Sequence, residues 1–289
     1  MNLYEETKML MKKYNLNANK SLGQNFLIDE NVVDEIVNKS NVTKSDIVIE
    51  IGPGLGTLTA KLLEKAKKVI AIELDDRMIK VLKDRFFMYD NFEIINEDVL
   101  KVDLKKLIEK NKNEEKMISV KIVANLPYYI TTPIIMKLLE EKLDIESITV
   151  MIQKEVADRL CEVPGGKKTG AITYSVYNYA DAEKILVVPN NSFVPEPEVT
   201  SEVIKLNIRK EPIIKVEDEE LFFKIIKVAF MQRRKTLVNA LLNSDLFKCK
   251  EDIIKCFNEL NIPINIRGEK LSIQDFQKIQ NYVKLLQFM

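Results

Sequence analysis

The sequence predicts a Rossmann-like α/β protein: a parallel sheet with helices on both faces, followed by a small all-helical region. Three observations carry this expectation. Short apolar, β-branched runs lie at Ile47–Ile51, Val69–Glu73, Phe92–Ile95, Ser119–Val123 and Ser147–Ile152. Helical spacing fills the intervals near 57–67, 76–89 and 133–143. Such alternation specifies βαβ units, because parallel strands need a crossover long enough to hold a helix. Finally, β-type runs stop after Lys210-Glu-Pro212, and Leu221–Phe230, Thr236–Leu242, Asp252–Leu260 and Ile273–Leu286 all have helical spacing. The domain boundary is therefore placed at 210/211.

Taken in order, Met1–Asn15 has scattered charges and no apolar core segment, so it is expected to be an amphipathic starting helix and not a secretory leader. Lys184–Val188 and Glu202–Ile208 are expected as further strands at one edge of the sheet. Lys110–Lys116 reads as a charged, solvated loop. No apolar run approaches the roughly 20 residues that span a bilayer, so a cytoplasmic chain without a membrane partner is expected.

Composition narrows the chemistry. The 289 residues include no His, and 44 Lys and Arg balance 44 Asp and Glu. Without His, neither Ser-His nor Cys-His catalysis is available. Cys161, Cys249 and Cys256 show no CxxC spacing, so free thiols and no metal site are expected. Zero net charge argues against a globally basic nucleic-acid binder and leaves only a local patch.

Glu50-Ile-Gly-Pro-Gly-Leu-Gly-Thr-Leu-Thr59 follows the first strand and opens a helix. Glycines at 52, 54 and 56 let the backbone turn tightly and approach a ligand. Glu73, at the end of the second strand, suits ribose hydroxyls. A dinucleotide and S-adenosylmethionine both fit this pattern, although Glu50 beside a diphosphate would be repulsive and beside a sulfonium or ammonium would not. Asp98, after the third strand, can accept from an adenine amine or cap a turn.

The fourth strand ends in Asn125-Leu-Pro-Tyr128. Pro127 removes a backbone donor and biases Leu126 away from helical geometry. The side-chain oxygen of Asn125 and the carbonyl of Leu126 could hold the two N–H groups of an exocyclic amine and favour positive charge on its nitrogen. Tyr128 offers a stacking face, worth roughly 1–3 kcal/mol per base. A sulfonium methyl needs no strong base at the acceptor, which agrees with the absence of His.

These motifs resemble the ribosomal RNA adenine dimethyltransferases of the kasugamycin-sensitivity type, over the length of the chain. Lys20–Leu27 is similar to that family's N-terminal cofactor lid, Ser192-Phe-Val-Pro-Glu-Pro-Glu-Val-Thr-Ser201 to its F-x-P-x-P-x-V-x-S element, and Ala229–Leu237 to the linker of its ribosomal branch. The resemblance implies a class I S-adenosylmethionine-dependent methyltransferase that leaves S-adenosylhomocysteine and uses no metal. Residues 1–210 would be catalytic and 211–289 would bind RNA. Cofactor contacts would come from Gln24, Asn25, Leu27, Gly52, Gly54, Glu73, Leu74, Asp98, Val99 and Asn125. The target base would meet Asn125, Leu126, Pro127 and Tyr128, with Phe193 as its second stacking face. Arg233, Arg234 and Lys235 would meet RNA phosphates.

The implied reaction is N6,N6-dimethylation of two adjacent adenines in the 3′-terminal hairpin loop of small-subunit (16S) ribosomal RNA, during subunit assembly, by a monomer with no DNA partner. Glu196 and Glu198 make the 192–201 loop more acidic than is usual in the family. With zero net charge, specificity is expected to rest on a folded ribosomal surface. Gln232–Leu237 separates the chain from related large-subunit methylases of macrolide resistance. N6-adenine DNA methyltransferases prefer Asp/Asn-Pro-Pro-Tyr. A rival reading from another class is an assembly checkpoint, in which binding outweighs chemistry; that role is compatible with catalysis.

Overall fold

Residues 1–19, 22–113, 118–232 and 234–287 are described by the computed structural model. The chain divides into two compact units, Met1–Ala157 with Ala182–Ile208, and Asp158–Asp181 with Arg209–Met289.

In chain order the elements are α1 (Leu3–Lys13), β1 (Phe26–Leu27), α2 (Glu30–Lys39), β2 (Asp46–Ile51), α3 (Thr57–Lys65), β3 (Lys68–Glu73), α4 (Asp76–Phe86), β4 (Phe92–Asn96), α5 (Leu104–Asn113), β5 (Ser119–Asn125), α6 (Thr131–Glu140), β6 (Ser147–Gln153), α7 (Lys154–Leu160), α8 (Ala171–Tyr179), β7 (Ala180–Val188), β8 (Phe193–Val194), β9 (Ser201–Ile208), α9 (Glu219–Met231), α10 (Leu237–Leu242), α11 (Lys250–Glu259) and α12 (Ile273–Gln287). The expected strands and helices are all present, including β7 and β9 beyond β6. Two expectations change. Lys110–Asn113 close α5 instead of starting a loop, while 114–117 lie outside the described residues. Residues 154–183, to which the sequence analysis assigns no element, hold α7 and α8.

The sheet runs β4-β3-β2-β5-β6-β9-β7. β2 pairs parallel with β3 on one side and β5 on the other, β4 and β6 continue parallel outward, and β9 is antiparallel to β6. Every residue of β2 is buried, as a central strand covered on both faces requires. Chain order reverses between β2 and β5, so the connections that leave their carboxyl ends run to opposite sides of the sheet and open a crevice there. At the opposite end, Lys121 Nζ bonds Asp46 Oδ2 (3.0 Å) and the Asn41 carbonyl (2.7 Å), a buried pair that ties β5 to β2. A separate two-stranded ladder sets Phe26 opposite Val194 and Leu27 opposite Phe193.

A capping box closes the start of the first helix. Asn2 accepts from the Glu5 amide (2.9 Å), and Glu5 accepts from the Asn2 amide (3.1 Å).

The second unit is helical and has its own core of Phe222, Phe257, Phe276, Ile279 and Val283. That core takes in Tyr174 of α8, which is fully buried, edge-on to Phe276 at 5.0 Å and bonded to the Leu271 carbonyl at 2.7 Å. The helical unit is thus built from two stretches of chain. The segment Asp158–Asp181 packs with it, although its sequence position precedes residue 210.

Candidate active site

The crevice beyond β2, β3 and β5 is a cleft whose empty volume, open solvent included, is about 1070 Å³. Its walls come from residues 22–27, the glycine turn, the ends of β3 and β5, the turn after β4 and the start of α6.

Gly52, Gly54 and Gly56 all hold positive φ, at 68°, 58° and 83°. At Gly56, which opens α3, a Cβ would lie 2.6 Å from Phe86 Cε2, so close helix packing also demands glycine. The Gly54 amide donates to Glu73 Oε2 (3.1 Å) and the Asp75 amide to Glu73 Oε1 (2.8 Å). Burial raises the Glu73 carboxyl above its ordinary range, with these two amides opposing. Each oxygen keeps lone-pair capacity toward the cleft.

Glu50 is 1% exposed, and its Oε2 accepts from the Thr59 hydroxyl at 2.6 Å. Its Oε1 has no hydrogen-bond partner among the described residues. Burial, above all, pushes the carboxyl up to about 8; the Thr59 hydrogen bond opposes this and the negative Glu73 adds to it. A buried carboxylate oxygen without a donor, in the wall of a cleft, fits the positive end of a ligand and not a phosphate. The site therefore fits S-adenosylmethionine: Glu50 suits its ammonium or sulfonium, Glu73 suits its ribose hydroxyls, and the glycine turn lets the protein backbone approach it closely.

Asp98 accepts from the Leu100 amide at 3.0 Å and lines the cleft beside Val99 and the exposed Leu74. Asn125 donates Nδ2 to the Asn25 carbonyl at 3.3 Å. This fixes the amide, and Oδ1 takes no hydrogen bond among the described residues. Leu126 is buried with its amide on the Met151 carbonyl (3.1 Å). The Pro127 carbonyl is claimed by Ile130 N and Thr131 Oγ1, whereas none of the described groups bonds the Leu126 carbonyl. The hydroxyl of Tyr128 meets Ser201 Oγ at 2.6 Å, so β9 holds the ring. Burial raises the Tyr128 phenol above its usual range and keeps it neutral.

Two predicted residues are placed differently. Phe193, expected as a stacking face, is 1% exposed, packed in the core with Leu27 and Val33, and absent from the cleft wall. The exposed ring at the cleft is Tyr129, 58% accessible. Gln24 lines the cleft, but its amide is engaged by protein: Oε1 accepts from Asn19 N (2.9 Å) and Nε2 donates to Asp75 (2.8 Å). Sequence reasoning did not find Asp75, Ser201 or Tyr129. The available signals were the cap position of Asp75 before α4 and the second tyrosine of the Tyr128–Tyr129 pair. In the helical unit Arg234 and Lys235 are exposed. Arg233, also expected to meet phosphate, lies outside the described residues, as do Lys20 and Ser21 of the lid motif.

A doubly covered parallel sheet with an unpaired acid beside its glycine turn defines a class I methyltransferase that uses S-adenosylmethionine. The sequence profile of the family described as ribosomal RNA adenine dimethylase matches residues 15–285. The ribosomal RNA small subunit methyltransferase A of Bacillus pumilus is 48% identical over 280 residues, covering 96% of this chain and 95% of that protein. A crystal structure of a dimethyladenosine transferase from Plasmodium falciparum superposes with a TM-score of 0.71 at 28% identity, covering 91% of this chain and 97% of the other. That of the 23S rRNA methyltransferase ErmE gives 0.63 at 22% identity over 90% of this chain and 100% of the other, a likeness of fold. The chain belongs to the ribosomal RNA adenine dimethylase family.

Proposed function

We propose that the protein dimethylates N6 of two adjacent adenines in the 3′-terminal hairpin loop of small-subunit (16S) ribosomal RNA, in the cytoplasm, as a monomer acting during small-subunit assembly. The small-subunit target rests on the 48% identity, nearly end to end, with a protein named for that subunit. The catalytic reading rests on one observation: the bond from Asn125 Nδ2 to the Asn25 carbonyl leaves Asn125 Oδ1 as an acceptor, one residue from the unclaimed Leu126 carbonyl.

S-adenosylmethionine supplies the electrophilic methyl group and leaves as S-adenosylhomocysteine. Glu50, Glu73 and Asp98 hold it from the glycine-turn side of the cleft. On the other side Asn125 Oδ1 and the Leu126 carbonyl accept from the N6–H groups of an adenine taken out of its stack. They draw the nitrogen lone pair out of conjugation and stabilise positive charge growing on it. The proton then lost from N6 passes to solvent, which needs no residue of high basicity. After one methylation only one N–H remains, and either acceptor can hold it while the first methyl group takes the other direction. Tyr128, braced by Ser201, supplies a face for the base. Arg233, Arg234 and Lys235 of the helical unit are assigned to RNA phosphates, and Phe193 supports Leu27 from the core.

The test is methyl transfer from labelled cofactor to small subunits that lack the modification. Naked small-subunit RNA, large subunits and DNA run alongside, with nucleoside mass spectrometry of the products. Dimethyladenosine confined to small subunits is expected. Label confined to large-subunit RNA would move the activity to the resistance-type relatives. No label anywhere, with cofactor still bound, would favour an assembly-checkpoint role.

A further inference from the structure

The segment 22–27 forms one wall of the cleft. Phe26 and Leu27 are buried and anchored by their ladder with β8, and the Asn25 carbonyl accepts from Asn125. Residues 22–25 are also tied to the turn after β3 through Asp75, two residues after Glu73. Asp75 Oδ2 accepts from Gln24 Nε2 at 2.8 Å and from Arg77 Nη2 at 2.5 Å. Its Oδ1 accepts from the Arg77 amide (3.0 Å) and Arg77 Nε (2.9 Å). Gln24 turns its other end onto the Asn19 amide at 2.9 Å, and Arg77 Nη1 reaches the Asn17 carbonyl at 3.4 Å. The Asp75 side chain is 6% exposed. Among the described residues only Gln24 joins this saturated carboxylate to the segment by a side chain, in a charge-assisted hydrogen bond.

We infer that Gln24 and Asp75, with Arg77 bracing the carboxylate, are a latch that holds residues 22–25 over the bound cofactor, and that its release sets how fast spent cofactor leaves. Gln24 is then a positioning residue and not a cofactor ligand. The inference rests on the proposed reading of the cleft as the S-adenosylmethionine site. Its interest lies in that reaction's multiplicity: two methyl groups per adenine require the same cleft to be emptied and refilled between transfers. With β1 anchored on β8, residues 22–25 are held over the cleft by the Gln24–Asp75 and Asn125–Asn25 bonds, so they can be firm during transfer and still open without disturbing the ladder.

The experiment follows dissociation of S-adenosylhomocysteine from the full-length protein by stopped flow, with no RNA present. Gln24→Ala is expected to accelerate dissociation about tenfold or more, the equivalent of losing one charge-assisted hydrogen bond. Gln24→Glu, which sets a carboxylate against Asp75, is expected to do so at least as strongly. The deciding arm is the same Gln24→Ala change in an Asp75→Ala background. A latch requires that it then has almost no further effect, because its partner is already gone. A Gln24→Ala effect that persists undiminished without Asp75 would make Gln24 a direct ligand and overturn the latch. So would unchanged dissociation in both Gln24 variants. Wild-type protein that binds no S-adenosylhomocysteine would overturn the cofactor reading itself, a result distinct from either.

Discussion

Asn125 and Glu50 do opposite things with a polar side chain. Asn125 uses its donor on protein and keeps its acceptor for the cleft. Asn125→Ala is expected to lower the single-turnover methylation rate by about 10²–10³, the scale of losing one preorganised polar contact to a transition state. Cofactor affinity, measured separately by calorimetry, should fall far less than the rate, and full turnover in that variant would refute the mechanism.

Glu50 is buried with one oxygen unpaired, and its carboxyl is pushed up to about 8. Because the folded-state value lies above the unfolded one, the folded protein binds more protons between them. Stability should therefore fall as pH rises from about 4.5 to about 8, and Glu50→Gln should flatten that slope in thermal unfolding. A cationic ligand at Oε1 favours the ionised form, so cofactor binding near neutral pH should release a proton. Calorimetry in buffers of different ionisation heat should show the release in wild type and none in Glu50→Gln.

At the scale of elements, the turn between β2 and α3 meets two demands at once. Positive φ lets the backbone approach a ligand, and the missing Cβ at position 56 lets α3 pack against Phe86 of α4. Gly56→Ala meets both a strained dihedral and a clash, and is expected to destabilise by about 2 kcal/mol or more in denaturant unfolding. Gly54→Ala, whose Cβ would meet Phe26 at an ordinary 3.5 Å, should lose less stability.

The five parallel strands were legible because strands covered on both faces read as β-branched apolar runs. The glycine turn was legible because the backbone conformation selects the residue. Helix α8 was not. Its sequence, Ala-Ile-Thr-Tyr-Ser-Val-Tyr-Asn-Tyr, is rich in β-formers, and the burial of Tyr174 among α9 and α12 residues overrides that preference. Phe193 was misplaced for a related reason. Its motif was clear, but the pairing of β8 with β1 turns the ring inward beside Leu27.

At the scale of the whole molecule, 44 positive and 44 negative side chains leave no bulk field to gather RNA, so local cations must do the positioning. Arg234→Glu with Lys235→Glu is expected to weaken binding to small subunits and to reduce the slope of log affinity against log salt by roughly 1.5, as for two lost phosphate contacts. Cofactor binding should not change. An unaltered slope would remove these residues from the RNA interface.

The amino-acid order alone determined the class of fold, the helices after residue 212, the acids and glycines that line the cleft, and the place of Asn-Leu-Pro-Tyr at the end of β5. These are local consequences of periodicity, backbone permissiveness and side-chain chemistry within a few residues. Only the tertiary structure decided that Gln24 meets Asp75, that Ser201 braces Tyr128, that Phe193 is core, and that Asp158–Asp181 belongs with the helical unit. Each of those is a contact between residues tens of positions apart or more. The burial that selects such a partner exists only once the sheet has brought distant segments to one edge.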